Sequence, residues 1–330
     1  MLFAAASAFA LPVAKAADRV LGPRGCLFTF HRAAASDLWE RLPNRNFYID
    51  VAFLDKFLTY LRENGWKVVT IEEALRRSAN DPGGRFVNFS IDDCYRDTYE
   101  VVAPLFRKHG VPLTLFVTTG IPDGTLPLWW AGLEDALLER DRVRLGDHTI
   151  ALGTSEERRA TYHRIASSWD GPEATRHYAE FCELNDIDSN AMHWKHAISW
   201  DMLDELARDP LMEIGAHTVD HPRISALEPG AVLTQLDESR RRLSARLGID
   251  VEHFAFPYGR AGDCGPRDFL LARQAGFRSA ATTRKGLLRR GQHEFSLPRN
   301  TINGGHRNLA AMEMHLTGLT GAAARIVGRV

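Results

Sequence analysis

Phe86-Val87-Asn88-Phe89-Ser90-Ile91-Asp92-Asp93-Cys94-Tyr95-Arg96-Asp97 is an aromatic and β-branched run that ends abruptly in carboxylates. The first six residues read as a strand buried on both faces, the kind found in parallel sheets. Similar short apolar runs recur at residues 26–30, 66–69, 113–118, 212–216, 253–256 and 277–282. Helical-period segments lie between them. Phe53, Phe57 and Leu61 with Leu54 and Leu58 form one helical face closed by Gly65, and Thr70 with Glu73 reads as a capping box. Val101, Val102, Leu105 and Phe106 form another face ending at Gly110, and Leu233, Leu236, Leu243 and Leu247 a third ending at Gly248. Ser199 caps a helix bearing Met202, Leu203 and Leu206. Seven such strand and helix units predict an α/β fold, a closed or nearly closed β/α barrel.

One stretch interrupts the alternation. Residues 121–196 are polar, carry Trp129-Trp130 and a helical pattern at Leu133, Leu137 and Leu138, and offer no convincing strand. They read as a helical insertion on one loop of a single domain spanning 26–330. Residues 1–25 read as an N-terminal helical segment lying on the domain or on a membrane surface. The opening apolar run lacks a basic segment before it, although Ala14-Lys15-Ala16 resembles a signal-peptidase site. With 330 residues, 45% hydrophobic and 25% charged, the chain is neither disordered nor fibrous. Forty-one basic against forty-two acidic side chains supply no overall field for nucleic acid or an anionic surface. Cys26, Cys94, Cys182 and Cys264 form no C-x-x-C pair, which points to a reduced compartment.

The chemistry collects at strand ends. A pair of carboxylates leaving a buried strand is costly unless a site uses them, although a single Asp there is often just a turn former. The run 212–216 releases His217 and then His221 in Met212-Glu213-Ile214-Gly215-Ala216-His217-Thr218-Val219-Asp220-His221. His31 follows the first strand and Pro257-Tyr258-Gly259 the sixth, so all these groups face one rim of the barrel. Two imidazoles and one carboxylate suit a divalent cation, Zn2+ first, with Co2+, Ni2+, Mn2+ or iron as alternatives. Three protein ligands leave positions open for water and substrate.

These motifs resemble the NodB-homology polysaccharide deacetylases, also called carbohydrate esterase family four. Ser90-Ile91-Asp92-Asp93-Cys94 resembles the first family motif, His217-Thr218-Val219-Asp220-His221 the second and Phe256-Pro257-Tyr258-Gly259 the third. Trp129-Trp130, Ser199-Trp200 and Leu297-Pro298-Arg299 resemble a subgroup linked to bacterial exopolysaccharide and lipid-linked glycan synthesis. The resemblance implies a deformed (β/α)7 TIM-like barrel, the NodB fold. It implies Asp93, His217 and His221 as metal ligands, Asp92 as general base on a metal-bound water, and the backbone N–H of Tyr258 as oxyanion donor.

Departures from the pattern raise specific questions. Cys94 replaces the usual glycine, at a cost of about 1 kcal/mol if the position needs a positive φ. Ala255-Phe256 stands where many members place an arginine, which leaves Arg260 or Arg299 to orient Asp92. Three histidines are candidates for the general acid: His315 by sequence, His31 by barrel position, and His306. Substrate contacts are expected from Trp129, Trp130, Pro257, Arg260 and Arg299. Packing of the insertion onto the barrel is the competing reading of the two tryptophans.

The expected function is metal-dependent removal of an N-acetyl group from an amino sugar in a polysaccharide, oligosaccharide or lipid-linked glycan. The alternatives are a deformylase or cyclic-amide hydrolase on the same site, and a glycan-binding member with impaired turnover. The expected partner is a carbohydrate bearing an N-acyl group, not nucleic acid. The expected location is the cytoplasm, with peripheral contact to the inner membrane through the N-terminus as an option and secretion or the periplasm ranked behind.

Overall fold

The computed structural model describes residues 24–80, 85–169 and 173–326. In chain order its strands are β1 (Arg24–Phe30), β2 (Arg32–Ala34), β3 (Tyr48–Asp50), β4 (Lys67–Val68), β5 (Arg85–Asp93), β6 (Leu113–Val117), β7 (Arg142–Leu145), β8 (His148–Ala151), β9 (Met212–Ala216), β10 (His253–Ala255), β11 (Ser279–Ala281) and β12 (Asn300–Thr301). Eight of them share one sheet in the order β11-β10-β9-β6-β5-β1-β12, with β4 beside the start of β5. Every ladder in this sheet is parallel. The sheet curls until its edges meet: Leu297 pairs with Ala281, and Asn300 with Phe28. This is the (β/α)7-type barrel of the NodB fold, surrounded by helices. The helical segment expected over 1–25 lies outside the described residues, except that Arg24 and Gly25 already belong to β1.

Strand alternation sorts the side chains into two environments. Outward-facing Phe28 and Phe89 pack edge-on against Phe57 of the helix Val51–Glu63, and Phe89 also against Phe106 of the helix Ala103–His109. Inward-facing residues change character along the strand direction. Leu27, Phe86, Phe116, Ala255, Ala281 and Leu297 form an apolar plug, with Ile71 and Ala74 of the helix Ile71–Asn80 packed onto it. Above the plug come Thr29, Ser90 and Arg299, all fully buried, and then Asp92 at the rim. Towards the opposite end Asn88 donates to Thr114, which donates to Glu213, and His253 meets Ser279.

The expected helix signals form helices. Asp50 and Ser199 cap the helices Val51–Glu63 and Trp200–Ala207, and Thr70 accepts from the Glu73 amide. Residues 66–69 yield only the two-residue β4. The stave that completes the ring is β12, too short to carry a periodic signal of its own.

Within 121–196 the helices Trp129–Glu139, Ser155–Ser168 and Ala174–Leu184 surround a separate apolar cluster that includes Leu133, Leu137, Tyr162, Trp169 and Phe181, and the helix Ser189–His196 follows them. The expectation of no strand there is corrected by the antiparallel hairpin β7-β8. Its strands are four residues each and mostly exposed, so hydrophobic patterning was weak; the Gly146-Asp147 turn, with Gly146 at φ 55, was the readable signal. No helix among the described residues is long and apolar enough to cross a membrane.

Gly215 marks the tightest interior packing of β9. A Cβ there would come within 2.6 Å of the Phe116 ring and 2.9 Å of the His253 carbonyl oxygen. Gly215→Ala is expected to destabilise the fold by about 1–3 kcal/mol through overpacking, read as a lower midpoint in urea denaturation.

Candidate active site

Asp92 and Asp93 end β5, where alternation points the first into the barrel and a left-handed backbone turns the second along the rim. Asp92 is 2% exposed and receives both arms of the Arg299 guanidinium, at 2.6 and 2.9 Å. Arg299 itself is fully buried. It also donates to Thr29, Ser90 and the Thr282 carbonyl, and lies over the Phe116 ring. Burial alone would raise the Asp92 carboxyl. The adjoining Arg299 charge, helped by His217, the Arg299 hydrogen bonds and His31, instead holds it down to about 2. Asp92 is therefore an ionised acceptor with fixed orientation.

Asp93, His217 and His221 converge beside it. Oδ1 of Asp93 lies 3.6 Å from Nε2 of His217 and 3.3 Å from Nε2 of His221. That oxygen is buried and makes no hydrogen bond, whereas Oδ2 accepts from the Tyr95 hydroxyl at 3.0 Å. Nδ1 of His217 lies 2.7 Å from the Ala255 carbonyl, which can only accept. The ring proton is therefore on Nδ1, and the Nε2 lone pair is aimed at Asp93. Burial lowers the His217 pKa to about 4, keeping the ring neutral. An orphaned carboxylate oxygen facing two imidazole nitrogens is a donor set that fits a divalent cation of zinc type.

The loops carrying these groups are joined by a continuation of the β6-β9 ladder. Thr118 donates to the Asp93 carbonyl, His217 to Val117, Thr119 to Thr218 and Gly120 to Val219. The backbone is strained where it turns. Of the six non-glycine residues at positive φ among the described residues, five are Asp93, Cys94, Thr218, His221 and Tyr258.

Cys94, at φ 66, has the conformation for which glycine is the usual choice. Its amide donates to the Asp92 carbonyl, and the side chain is fully buried. Burial, reinforced by Asp93 and Asp92, pushes the thiol well above its ordinary pKa, and Cys94 is not among the side chains whose donor atoms converge at Asp93, His217 and His221.

The remaining expected site residues divide. His31 lies on the inner side with Thr29, stacks on Phe47 at 4.7 Å, and is near enough to Asp92 to help depress its carboxyl. Pro257 is buried and Tyr258 is 46% exposed, with its ring 5.0 Å from His221 and under the Arg223 guanidinium. Three assignments are corrected. Arg299, expected to touch substrate, is sealed beneath Asp92 and instead fills the orienting role. Arg260 is exposed, its amide bound to Asp263, and it does not reach Asp92. His315 packs edge-on against Phe28, on the opposite face of β1 from the Thr29 that meets Arg299. Its nitrogens meet His306 and Thr320, so neither histidine of that pair lies on the reacting side of the sheet.

Trp129 packs into the insertion against Trp169, whereas Trp130 donates its indole N–H to Tyr95 at 3.0 Å. Tyr95 and Arg32 were not singled out in the sequence. Arg32 lies over the Tyr95 ring and binds Asp97, Tyr48 and His196, the last of which continues to Asp135. A further group of metal-capable side chains, Glu72, Glu252 and His253, sits at the opposite end of the barrel. Arg278 pairs with both glutamates there.

A family model described as polysaccharide deacetylase matches residues 79–280. The chain belongs to the polysaccharide deacetylase family. Family members are hydrolases of N-acetyl amide bonds, and the match contains Asp92, Asp93, His217, His221 and Tyr258. The deacetylase is 18% identical over 267 residues to YxkH of Bacillus subtilis (strain 168), which bears a polysaccharide deacetylase name; the alignment spans 80% of this chain and 67% of that one. Its fold is similar to that of the Streptococcus pyogenes deacetylase PplD in complex with acetate (TM-score 0.58, 16% identity, 89% of this chain and 97% of that one). It is also similar to IcaB from Ammonifex degensii (TM-score 0.57, 19% identity, 88% and 97%).

Two outcomes follow from these placements. Arg299→Met leaves the Asp92 carboxylate buried without its partner and is expected to cost about 3–5 kcal/mol, measured by urea denaturation. His315, held at about 3 chiefly by burial, stays neutral in the folded deacetylase, whereas the unfolded chain protonates near ~6.5. The unfolded state therefore takes up the proton first, and stability falls as pH drops from about 6.5 towards 3. In His315→Gln that fall is expected to be shallower in Tm against pH.

Proposed function

We propose that the deacetylase removes an N-acetyl group from an amino sugar within a polysaccharide, oligosaccharide or lipid-linked glycan, with a divalent cation held by Asp93, His217 and His221. Zn2+ is the first choice, with Co2+, Ni2+ or Mn2+ as alternatives. The observation that carries this reading is the buried, unpaired Oδ1 of Asp93 facing two Nε2 atoms at 3.3 and 3.6 Å, beside a carboxylate locked by Arg299. When bound, the cation supplies Lewis acidity, lowering the pKa of water towards ~7 and polarising the amide carbonyl.

The chain's own residues do the rest. Asp92, ionised and aimed by the Arg299 fork, accepts the proton of the attacking water. The left-handed turn at Tyr258, held by Thr283 through the Tyr258 and Gly259 carbonyls, presents the backbone N–H proposed to stabilise the developing oxyanion. His31 is the histidine left on the inner face and is assigned the proton transfer to the leaving amine. The exposed Tyr258 ring stands at the mouth that receives the sugar, with the buried Pro257 beneath the turn that carries it. A nearly neutral chain is compatible with an uncharged amide substrate. The Trp129-Trp130, Ser199-Trp200 and Leu297-Pro298-Arg299 motifs support a role in exopolysaccharide or lipid-linked glycan synthesis. Four buried free thiols support a reducing, cytoplasmic setting, with membrane contact through residues 1–25 part of the same proposal.

The test is acetate release from N-acetylhexosamine oligosaccharides, abolished by EDTA and restored by Zn2+ or Co2+. Asp92→Asn is expected to abolish release. His31→Gln is expected to lower kcat by about 10²–10⁴-fold. Formate in place of acetate would move the reading to a deformylase. No release from any N-acetylhexosamine glycan by metal-loaded protein would overturn it.

A further inference from the structure

The carboxylate that would hold the cation is oriented from outside the barrel. Asp93 stands at φ 67, and rotation about its Cβ–Cγ bond would swing both oxygens away from the two imidazoles unless something holds the plane of the carboxylate. Tyr95 does: its hydroxyl lies 3.0 Å from Oδ2, leaving Oδ1 turned to His217 and His221. A hydroxyl, however, can rotate its single proton away. The neighbour that decides its direction is Trp130, whose indole nitrogen lies 3.0 Å from the Tyr95 oxygen. Indole N–H is a donor and never an acceptor. The Tyr95 oxygen must therefore accept from Trp130, and its own proton is committed to Asp93.

The ring that carries this hydroxyl cannot move aside. Tyr95 is fully buried, with Phe47 edge-on at 6.0 Å and the Arg32 guanidinium 4.8 Å above it. Arg32 is anchored in turn by Asp97, Tyr48 and His196. Trp130 comes from the helix Trp129–Glu139 of the insertion, and His196 closes the helix Ser189–His196 of the same segment. The insertion therefore touches the ligand set by a hydrogen-bond relay and braces that relay by a charged one.

We infer that Tyr95 and Trp130 are positioning residues of the metal centre, a relay through which the insertion holds the plane of the Asp93 carboxylate so that one oxygen faces the two imidazoles. This rests on the proposed reading of Asp93, His217 and His221 as ligands. Partners of ligating groups typically contribute 10–100-fold to metal affinity, and Tyr95→Phe, which keeps the ring and removes only the hydroxyl, is expected to weaken binding by about that factor.

The experiment titrates metal-free full-length chain with Co2+ against a chelator and records the cobalt absorption spectrum. Tyr95→Phe should bind more weakly and show a shifted ligand-field band. Trp130→Phe, which keeps the Tyr95 hydroxyl but frees its proton, should lose affinity in the same direction by less. Trp129→Phe, altering an indole packed within the insertion, should bind Co2+ as wild type does. Should Tyr95→Phe fail to fold, Trp130→Phe against Trp129→Phe decides. Affinity and spectrum of Tyr95→Phe and Trp130→Phe indistinguishable from wild type would overturn the relay while leaving the metal centre standing. A wild-type chain that takes up no Co2+ would overturn the metal centre itself.

Discussion

The pairing of Arg299 with Asp92 is the interaction on which the rest of the site is built. A carboxylate buried to this extent would ordinarily shed its charge. It keeps that charge because a guanidinium with matching fork geometry is buried with it, and because Thr29, Ser90 and the Thr282 carbonyl use the remaining donors. The same arginine sits in the short stretch, residues 297–300, where the curled sheet meets itself. Its five hydrogen bonds reach β1, β5 and the residue after β11. Closure of the barrel and ionisation of Asp92 are thus one structural event, and an arginine on any exposed loop could not do both.

The backbone around that pair stores strain in an orderly way. Asp93, Cys94, Thr218, His221 and Tyr258 all adopt left-handed conformations that cost each residue of order 1 kcal/mol or more. Asp93 and Thr218 are held by the ladder extended from β6 and β9 past the sheet through Thr118, Thr119 and Gly120, His221 by the Thr218 hydroxyl, and Tyr258 by Thr283. Cys94 illustrates the balance. The position keeps the geometry of a glycine turn although a side chain is present, because the Asp92 carbonyl and the packed interior overdetermine it. The substitution is absorbed as local strain rather than as displacement of the neighbouring carboxylates.

Much of the site was legible because strand ends are legible. A buried run ending in Asp92-Asp93 and another ending in His217 bring their side chains to one rim through topology alone, and the three residues between His217 and His221 suffice for one turn of loop. The barrel followed from the alternation of strands and helices, but its last stave did not, since β12 is two residues long and is defined by its partners. The role of Arg299 was visible as one of two options; exposure of Arg260 and burial of Arg299 separate them, and burial at a seam leaves no local signal. His315 misled because its sequence neighbourhood says nothing about which face of β1 it meets. The relay through Tyr95 was hidden for a similar reason: it joins a residue of β5's exit loop to one in an insertion 35 positions away.

That insertion is the least regular part of the chain and yet is not peripheral in its effects. It has its own apolar cluster, and Ile121, Leu128 and Ala131 also join the barrel's core, with Trp130 packed against it. Its polar contacts add direction to that packing: Glu134 to Tyr48, His196 to Arg32, Trp130 to Tyr95. Buried polar contacts of this kind contribute little net stability but tolerate few alternative geometries, because each unsatisfied group is costly. A purely apolar contact between the two parts could slide by fractions of an ångström without penalty. Directional bonds ending on Asp93 cannot, so the insertion constrains the position of one carboxylate oxygen more tightly than it stabilises the fold.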